Sequence, residues 1–475
     1  MQEPSSPPSS ASHPARKPAS GSGCEPTSAS NPGAPQPLIV PRPEHSISRA
    51  NISENALKVL YRLRQESFQA HLVGGGVRDL LLGHEPKDFD VATDATPEQV
   101  RQVFRNCRLI GRRFRLAHVH FGREIIEVAT FRGNAVPDGE ETEQQDETGR
   151  ILRDNTYGSI AEDALRRDFT VNALYYNIAD FSLLDYADGL SDLRHGRLRL
   201  IGDPEQRYRE DPVRMLRAVR FACKLGFTLD EGTEAPLFKL GHLLEDIAPA
   251  RLFDESIKLF HSGYGLAAFE KLRQYGLFAQ LFPATEACLA HEQDGFPITF
   301  VSRGLANTDR RLAEGQSVTP AFLFAVLMWE PVRRRFEQLL ADGEIASEAM
   351  FKAASEVSRR QQSLVSIPKR FSLPMREIWS LQPRFEQRDG KRPQRLLTHP
   401  RFRAAYDFLV LRAQAGEADL ELADWWTRFQ EASADERASM LERGAMKRRR
   451  RRPRRRKSSQ ATDAPSHADT LDAAN

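Results

Sequence analysis

The sequence predicts an α+β protein, a small mixed-sheet head followed by an all-helical remainder. Strand-like runs crowd into the part before residue 131 and nearly vanish after Ile160, apart from about 170 to 185. From there to about residue 432 apolar side chains recur at helical spacing, and strands first with helices afterwards is the pattern of segregated layers. At 475 residues the chain is long enough for two or three domains, each with its own core.

The elements follow in order. Residues 1–45 are rich in Pro, Ser, Ala and Gly and nearly free of large apolar side chains, so a disordered extension is expected there. Ser53 is placed as the N-cap of a helix whose stripe is Ala56, Leu57, Leu60 and Leu63. A strand at His71-Leu-Val runs into Gly74-Gly-Gly, and Val77-Arg-Asp-Leu opens a helix. A second strand is expected at 89–92, then a helix opened by Thr96-Pro97 with Gln99 in the capping-box position, then strands at 117–121 and 124–131. The acidic run 138–150 reads as a loop. Ala321 to Trp329, opened by Thr319-Pro320, reads as a buried helix and falls far short of the roughly 20 apolar residues a membrane span needs. The resulting division is an extension at 1–45, a head at 46–185, a helical neck at 186–300, a helical body at 301–435 and a disordered tail at 436–475.

The net charge is +3, which conceals an asymmetry. Lys447 to Lys457 holds ten basic side chains, and taking them from +3 leaves the rest at −7. A detachable basic block on an acidic body points to a polyanion partner. Lys447, Arg448, Arg449, Arg450, Arg454 and Arg455 should bind phosphate backbone by counterion release, without reading bases; a targeting signal or a solubilising tail is the plainer alternative. Cys24, Cys107, Cys223 and Cys288 show no CxxC or other close pairing, which excludes a thiolate zinc site or a disulfide framework. With no secretion-type apolar segment at the amino end, a soluble, cytoplasmic protein is expected.

The chemistry is concentrated in the head. Asp88 and Asp90 flank Phe89, and on a strand residues i and i+2 share a face. Two adjacent carboxylates call for a cation, and Mg²⁺ shared with substrate phosphates suits hard oxygen ligands, in a two-metal arrangement that activates a hydroxyl and holds a leaving pyrophosphate. An isolated pair of this kind is otherwise a solvated strand end. Here Gly74 and Gly75 stand at a strand-to-helix turn able to cradle phosphate oxygens, with Arg78 beside them to add charge. Glu127, on the face opposite Ile126 and Val128, and Asp168, in Arg166-Arg-Asp-Phe-Thr-Val-Asn, both qualify as a third acid. Spacing does not decide between them. In Glu210-Asp-Pro-Val-Arg, Pro212 opens a helix that sets Asp211 and Arg214 one turn apart, a carboxylate acceptor and a guanidinium donor suited to the edge of a base; Arg217 and Arg220 continue that face. A solvated basic face is the plainer alternative. His118 and His120 read as structural.

Taken together, Leu72-Val-Gly-Gly-Gly-Val-Arg-Asp, Asp88-Phe-Asp, Glu127-Val-Ala-Thr-Phe-Arg, Arg166-Arg-Asp-Phe-Thr-Val-Asn-Ala and Glu210-Asp-Pro-Val-Arg-Met-Leu-Arg-Ala resemble the motif set of class II template-independent nucleotidyltransferases. That family comprises bacterial poly(A) polymerases and tRNA CCA-adding enzymes, with a palm resembling that of DNA polymerase β. The resemblance covers about residues 46 to 432, and Leu109-Ile-Gly-Arg-Arg-Phe-Arg-Leu-Ala-His-Val-His with the Arg-rich tail is similar to the poly(A) polymerase branch. It implies Mg²⁺-dependent transfer of AMP from ATP to RNA 3′-hydroxyls of mRNA and small RNAs, with pyrophosphate released, in polyadenylation and decay alongside RNA-decay proteins. By the same resemblance Asp88 and Asp90 hold the metals, Asp168 is the third acid, Arg167 and Asn172 help hold the nucleotide, and Asp211 and Arg214 face the base. CCA addition to tRNA is the alternative, and a non-catalytic RNA-binding adaptor a more remote one.

Overall fold

A computed structural model describes residues 36–111, 115–133, 144–145, 151–153, 156–293 and 296–441. The basic block 447–457, Arg112 and Arg113 lie outside the described residues, and so does the extension up to residue 35.

The head is built on one eight-stranded mixed sheet. Its strands are β1 (Leu38–Val40), β2 (Ala70–Val73), β3 (Asp90–Thr93), β4 (Cys107–Ile110), β5 (Leu116–Phe121), β6 (Glu124–Thr130), β7 (Leu174–Asn177) and β8 (Leu183–Asp185). The spatial order is β1-β8-β7-β2-β3-β6-β5-β4. All neighbours are antiparallel except β3 and β6, which run parallel and set Asp90 beside Glu127. The local signals read from sequence explain the flanking helices. Ser53 Oγ accepts from the N–H groups of Asn55 and Ala56 at the start of Glu54–Gln65, and Thr96 with Gln99 closes a full capping box on Pro97–Val103.

Four expectations need correction. Disorder to residue 45 is contradicted by β1, where the apolar Leu-Ile-Val pairs with β8 and a single 3-10 turn follows at Arg42–Glu44. β4 is not anticipated, because its outward apolar Ile110 breaks the alternation that Cys107, Arg108 and Leu109 begin. Within the acidic run read as a loop, Gln144–Gln145 pairs antiparallel with Ile151–Arg153. At the other end, residues 434–441 are helical, past the expected boundary at 435.

Beyond the sheet the chain is helical, broken only by the short ladders Arg197–Leu198 with Thr228–Leu229 and Glu292–Gln293 with Phe296–Pro297 among the described residues. The helix Pro320–Leu327, capped by Thr319, is buried as expected. Trp329, Trp379 and Trp426 are wholly enclosed, and each indole N–H finds an acceptor: Glu417, the Ala325 carbonyl and the Phe385 carbonyl. No helix among the described residues is long and apolar enough to cross a membrane.

One close approach ties the fold to the chemistry. The helix Gly189–Arg194 lies so near the turn Thr170–Asn172 that a Cβ at Gly189 would run into the Thr170 carbonyl oxygen. Gly189→Ala should therefore destabilise the chain by about 1–3 kcal/mol through overpacking and displace Asn172. Thermal unfolding measures the first effect; a raised KM for nucleotide reports the second.

Candidate active site

β2 ends at Val73, and Gly74, with a φ of +74°, carries the chain into the helix Gly75–Leu81. A side chain there would be strained by the positive φ, and its Cβ would lie in contact with Arg167 Nη1 at 3.6 Å and Asp90 Oδ2 at 3.7 Å. The glycine turn thus lies between a guanidinium and a carboxylate. Gly76 allows equally close packing, with the Asp88 carbonyl 3.4 Å from its absent Cβ. The helix has only seven residues, so its dipole is slight and the arginines supply most of the positive field.

Asp88 is exposed just before β3, and Asp90 opens that strand. The Asp90 carboxyl is pushed up to about 6, first by burial, then by the charges of Glu127 and Asp88, with Arg167 pulling the other way. A buried carboxyl feeling two neighbouring acids is an electrostatic conflict that a cation would relieve, and the hard oxygens suit a divalent ion. Among the described residues no three ligating groups are already closed around one point.

Asp168 has a different environment. Its Oδ1 accepts from the Phe169 N–H at 2.8 Å and from Asn172 Nδ2 at 3.2 Å. Its Oδ2 accepts from Arg217 Nε at 2.9 Å and from Nη2 of the same guanidinium at 2.5 Å. Despite burial, these donors, Arg217 foremost, hold its carboxyl far below the usual range. Asn172 in turn accepts from Arg78 Nη1 at 2.6 Å. Arg78, only 2% exposed, points inward and also clasps Asp79 Oδ1 through Nε and Nη2 at 2.9 and 2.6 Å. Asp79, Arg78, Asn172, Asp168 and Arg217 form one chain of bonds, buried at Arg78 and part-buried at Arg217, joining the glycine-turn helix to the neck helix Val213–Leu225.

Arg167 is anchored by Asp163 Oδ2 at 3.0 Å and the Tyr175 hydroxyl at 2.8 Å, leaving Nη1 beside Gly74. On the neck side three guanidiniums surround the Phe221 ring: Arg78 at 5.3 Å, Arg217 at 5.2 Å and Arg220 at 4.3 Å. Arg220 Nε is buried without a partner, and burial, with Arg217 nearby, lowers its pKa to about 10. An unpartnered donor in so positive a corner suits an anion.

Asp211 and Arg214 each have a partner in the neck region. Asp211 takes two bonds from Arg251, at 2.8 and 2.7 Å, and Arg214 Nη1 binds the Arg207 carbonyl at 2.7 Å and Glu210 Oε2 at 3.0 Å. Both are held rigidly at the start of the neck helix. Sequence reasoning misses Arg251, Asp79, Asp163 and Tyr175. The acids lie in plain view but without a spacing signal, and Arg251 sits in an ordinary amphipathic helix, Pro249–Phe260, whose partner is distant in sequence.

An acid row beside a glycine turn in an α+β head, closed by an arginine-bearing helical neck, is the architecture of a nucleotidyltransferase. Comparisons define the branch. Residues 70–199 match the family described as "Poly A polymerase head domain", 226–289 "Probable RNA and SrmB- binding site of polymerase A", and 342–458 "Polymerase A arginine-rich C-terminus". The chain is 51% identical to "Poly(A) polymerase I" of Salmonella typhi over 86% of its own length and 89% of that protein, and 47% identical to "Poly(A) polymerase I" of Haemophilus influenzae over 85% and 90%. A "CC-adding tRNA nucleotidyltransferase" of Halalkalibacterium halodurans is more distant, 35% identical over 48% of this chain and 54% of that protein. The fold is shared with a solved structure described as "tRNA-processing enzyme (apo form 2)", with a TM-score of 0.53 at 22% identity, over 81% of this chain and 99% of the other. The chain belongs to the poly(A) polymerase family of nucleotidyltransferases. Membership brings a nucleotide substrate and a divalent metal ion.

Arg217→Met would strand the Asp168 charge, and a loss of about 1–3 kcal/mol is expected, below that of a fully buried pair because Arg217 keeps about a third of its side chain in water. The double variant Asp168→Asn/Arg217→Met should regain much of that loss; denaturant unfolding of the four proteins in the cycle measures it.

Proposed function

We propose that the chain adds AMP from ATP, repeatedly and without a template, to RNA 3′-hydroxyl ends and releases pyrophosphate. The observation that carries this is the Asp90–Glu127 pairing across β3 and β6, set against Gly74 and Arg167. The relatives' name favours adenylate over CCA addition.

Asp88, Asp90 and Glu127 are the residues we assign to holding Mg²⁺. When bound, the ion supplies Lewis acidity at the α-phosphate and lowers the pKa of the attacking hydroxyl. Asp168 is assigned elsewhere: with both oxygens engaged, it fixes Arg217 and Asn172 in place. Arg167, Arg217 and Arg220, with the backbone at Gly74 and Gly75, take the triphosphate and neutralise the charge that builds on the departing pyrophosphate. Arg78 acts from beneath by setting Asn172. Asp211 and Arg214 receive the base, and the bonds from Arg251 and Glu210 keep that receiving edge fixed. RNA is drawn to 226–289 and to the basic block, where Lys447, Arg448, Arg449, Arg450, Arg454 and Arg455 meet its phosphates. A partner from the RNA-decay machinery is assigned to the same 226–289 segment, in a cytoplasmic setting.

Incorporation of labelled ATP and CTP onto a short unstructured RNA tests the reading. Long tails from ATP alone are expected, and Asp90→Ala should abolish them while leaving RNA retention intact; limited CTP-dependent addition to truncated tRNA only would overturn it. Deleting 447–457 should weaken RNA binding and make the salt slope shallower by about 0.7 for each RNA phosphate that is no longer neutralised, as measured by binding titrations from low to high salt.

A further inference from the structure

The two strands beyond the Asp90–Glu127 pair extend the same row. Asp90 on β3 is in register with Glu127 on β6, Glu127 with His118 on β5, and His118 with Arg108 on β4. Residues in register on neighbouring strands share a face of the sheet, so the row runs outward from the acids across the open surface. His118 Nε2 lies 3.3 Å from Glu127 Oε2. A carboxylate can only accept, so the imidazole N–H is the donor.

Glu127 needs such a holder. Its side chain is 43% exposed and has three torsions, whereas His118, at 20% exposed, is shorter and stiffer and sits edge-on to the His120 ring at 6.3 Å. Carboxylates that bind metal ions are commonly oriented by a hydrogen bond from behind, which leaves the other oxygen for the ion.

We propose that His118 is a positioning residue of the metal site, its Nε2–H fixing Glu127 so that this carboxylate and Asp90 share one divalent cation. The inference rests on the assignment of Glu127 above. It gives a task to a histidine that sequence reading takes as structural, and it makes β5 part of the active site.

The test uses the full chain with Mn²⁺ and the unreactive analogue α,β-methylene-ATP, Mn²⁺ binding being read by electron paramagnetic resonance. His118→Leu removes the donor and keeps the bulk; His118→Gln restores an N–H of similar reach. Mn²⁺ affinity should fall about 10- to 100-fold in His118→Leu, recover most of the way in His118→Gln, and do so with thermal midpoints unchanged. ATP turnover should track the metal, depressed in His118→Leu at low Mg²⁺ and restored at high Mg²⁺. Wild-type Mn²⁺ affinity in His118→Leu, with Glu127→Gln defective, would overturn the inference and leave the role of Glu127 standing. Equal losses in both His118 variants accompanied by lowered thermal midpoints would overturn it in favour of simple packing. Wild-type affinity in Glu127→Gln would remove the underlying assignment and the inference with it.

Discussion

The ion pair of Asp168 with Arg217 is the constraint on which the site depends. Two charges withdrawn from water are costly unless their geometry is good and every remaining lone pair is met. Here Arg217 gives two bonds to one oxygen, while Phe169 N–H and Asn172 satisfy the other. Because Asn172 is itself pinned by Arg78, and Arg78 by Asp79, neither the glycine-turn helix nor the neck helix can shift without exposing a buried charge. The glycine-turn helix and the neck helix are thereby held in one register.

That register separates two kinds of charge. On the sheet side Glu127, in the middle of β6, and Asp88, just before β3, both act on Asp90 at the start of β3, and guanidiniums crowd the Phe221 ring. Each group is uncomfortable alone. On the proposed reading, a triphosphate carrying a divalent cation would relieve both, with its anionic oxygens against the arginines and its cation against the carboxylates. Such a site is preorganised, because its charges are aimed before substrate arrives and need little reorganisation during the reaction. The residues proposed to receive the base follow the same rule, with Asp211 bonded by Arg251 and Arg214 by Glu210.

Much of this is legible in the sequence, for local reasons. The cap at Ser53, the capping box at Thr96 and the strand–glycine–helix turn at Gly74 are encoded within a few residues, and the structure has each of them. What escapes is long-range. Spacing cannot choose between Glu127 and Asp168 as neighbour of Asp90, because the choice depends on β6 lying parallel to β3, a pairing no local pattern specifies. Arg78 looks like a phosphate ligand by position, yet its partners Asp79 and Asn172 turn it inward. Likewise β1 is hidden because three apolar residues in a Pro/Ser-rich stretch become a strand only when the β8 edge is there to pair with them.

The most direct test is a crystal structure of the full chain with Mn²⁺ and α,β-methylene-ATP, collected for anomalous scattering from the metal. An anomalous peak between Asp90 and Glu127, with the triphosphate running along Arg167 and Arg220 and Asp168 still bound to Arg217, is the predicted result. Metal coordinated by Asp168, with Arg217 displaced from it, would contradict the roles assigned to both residues.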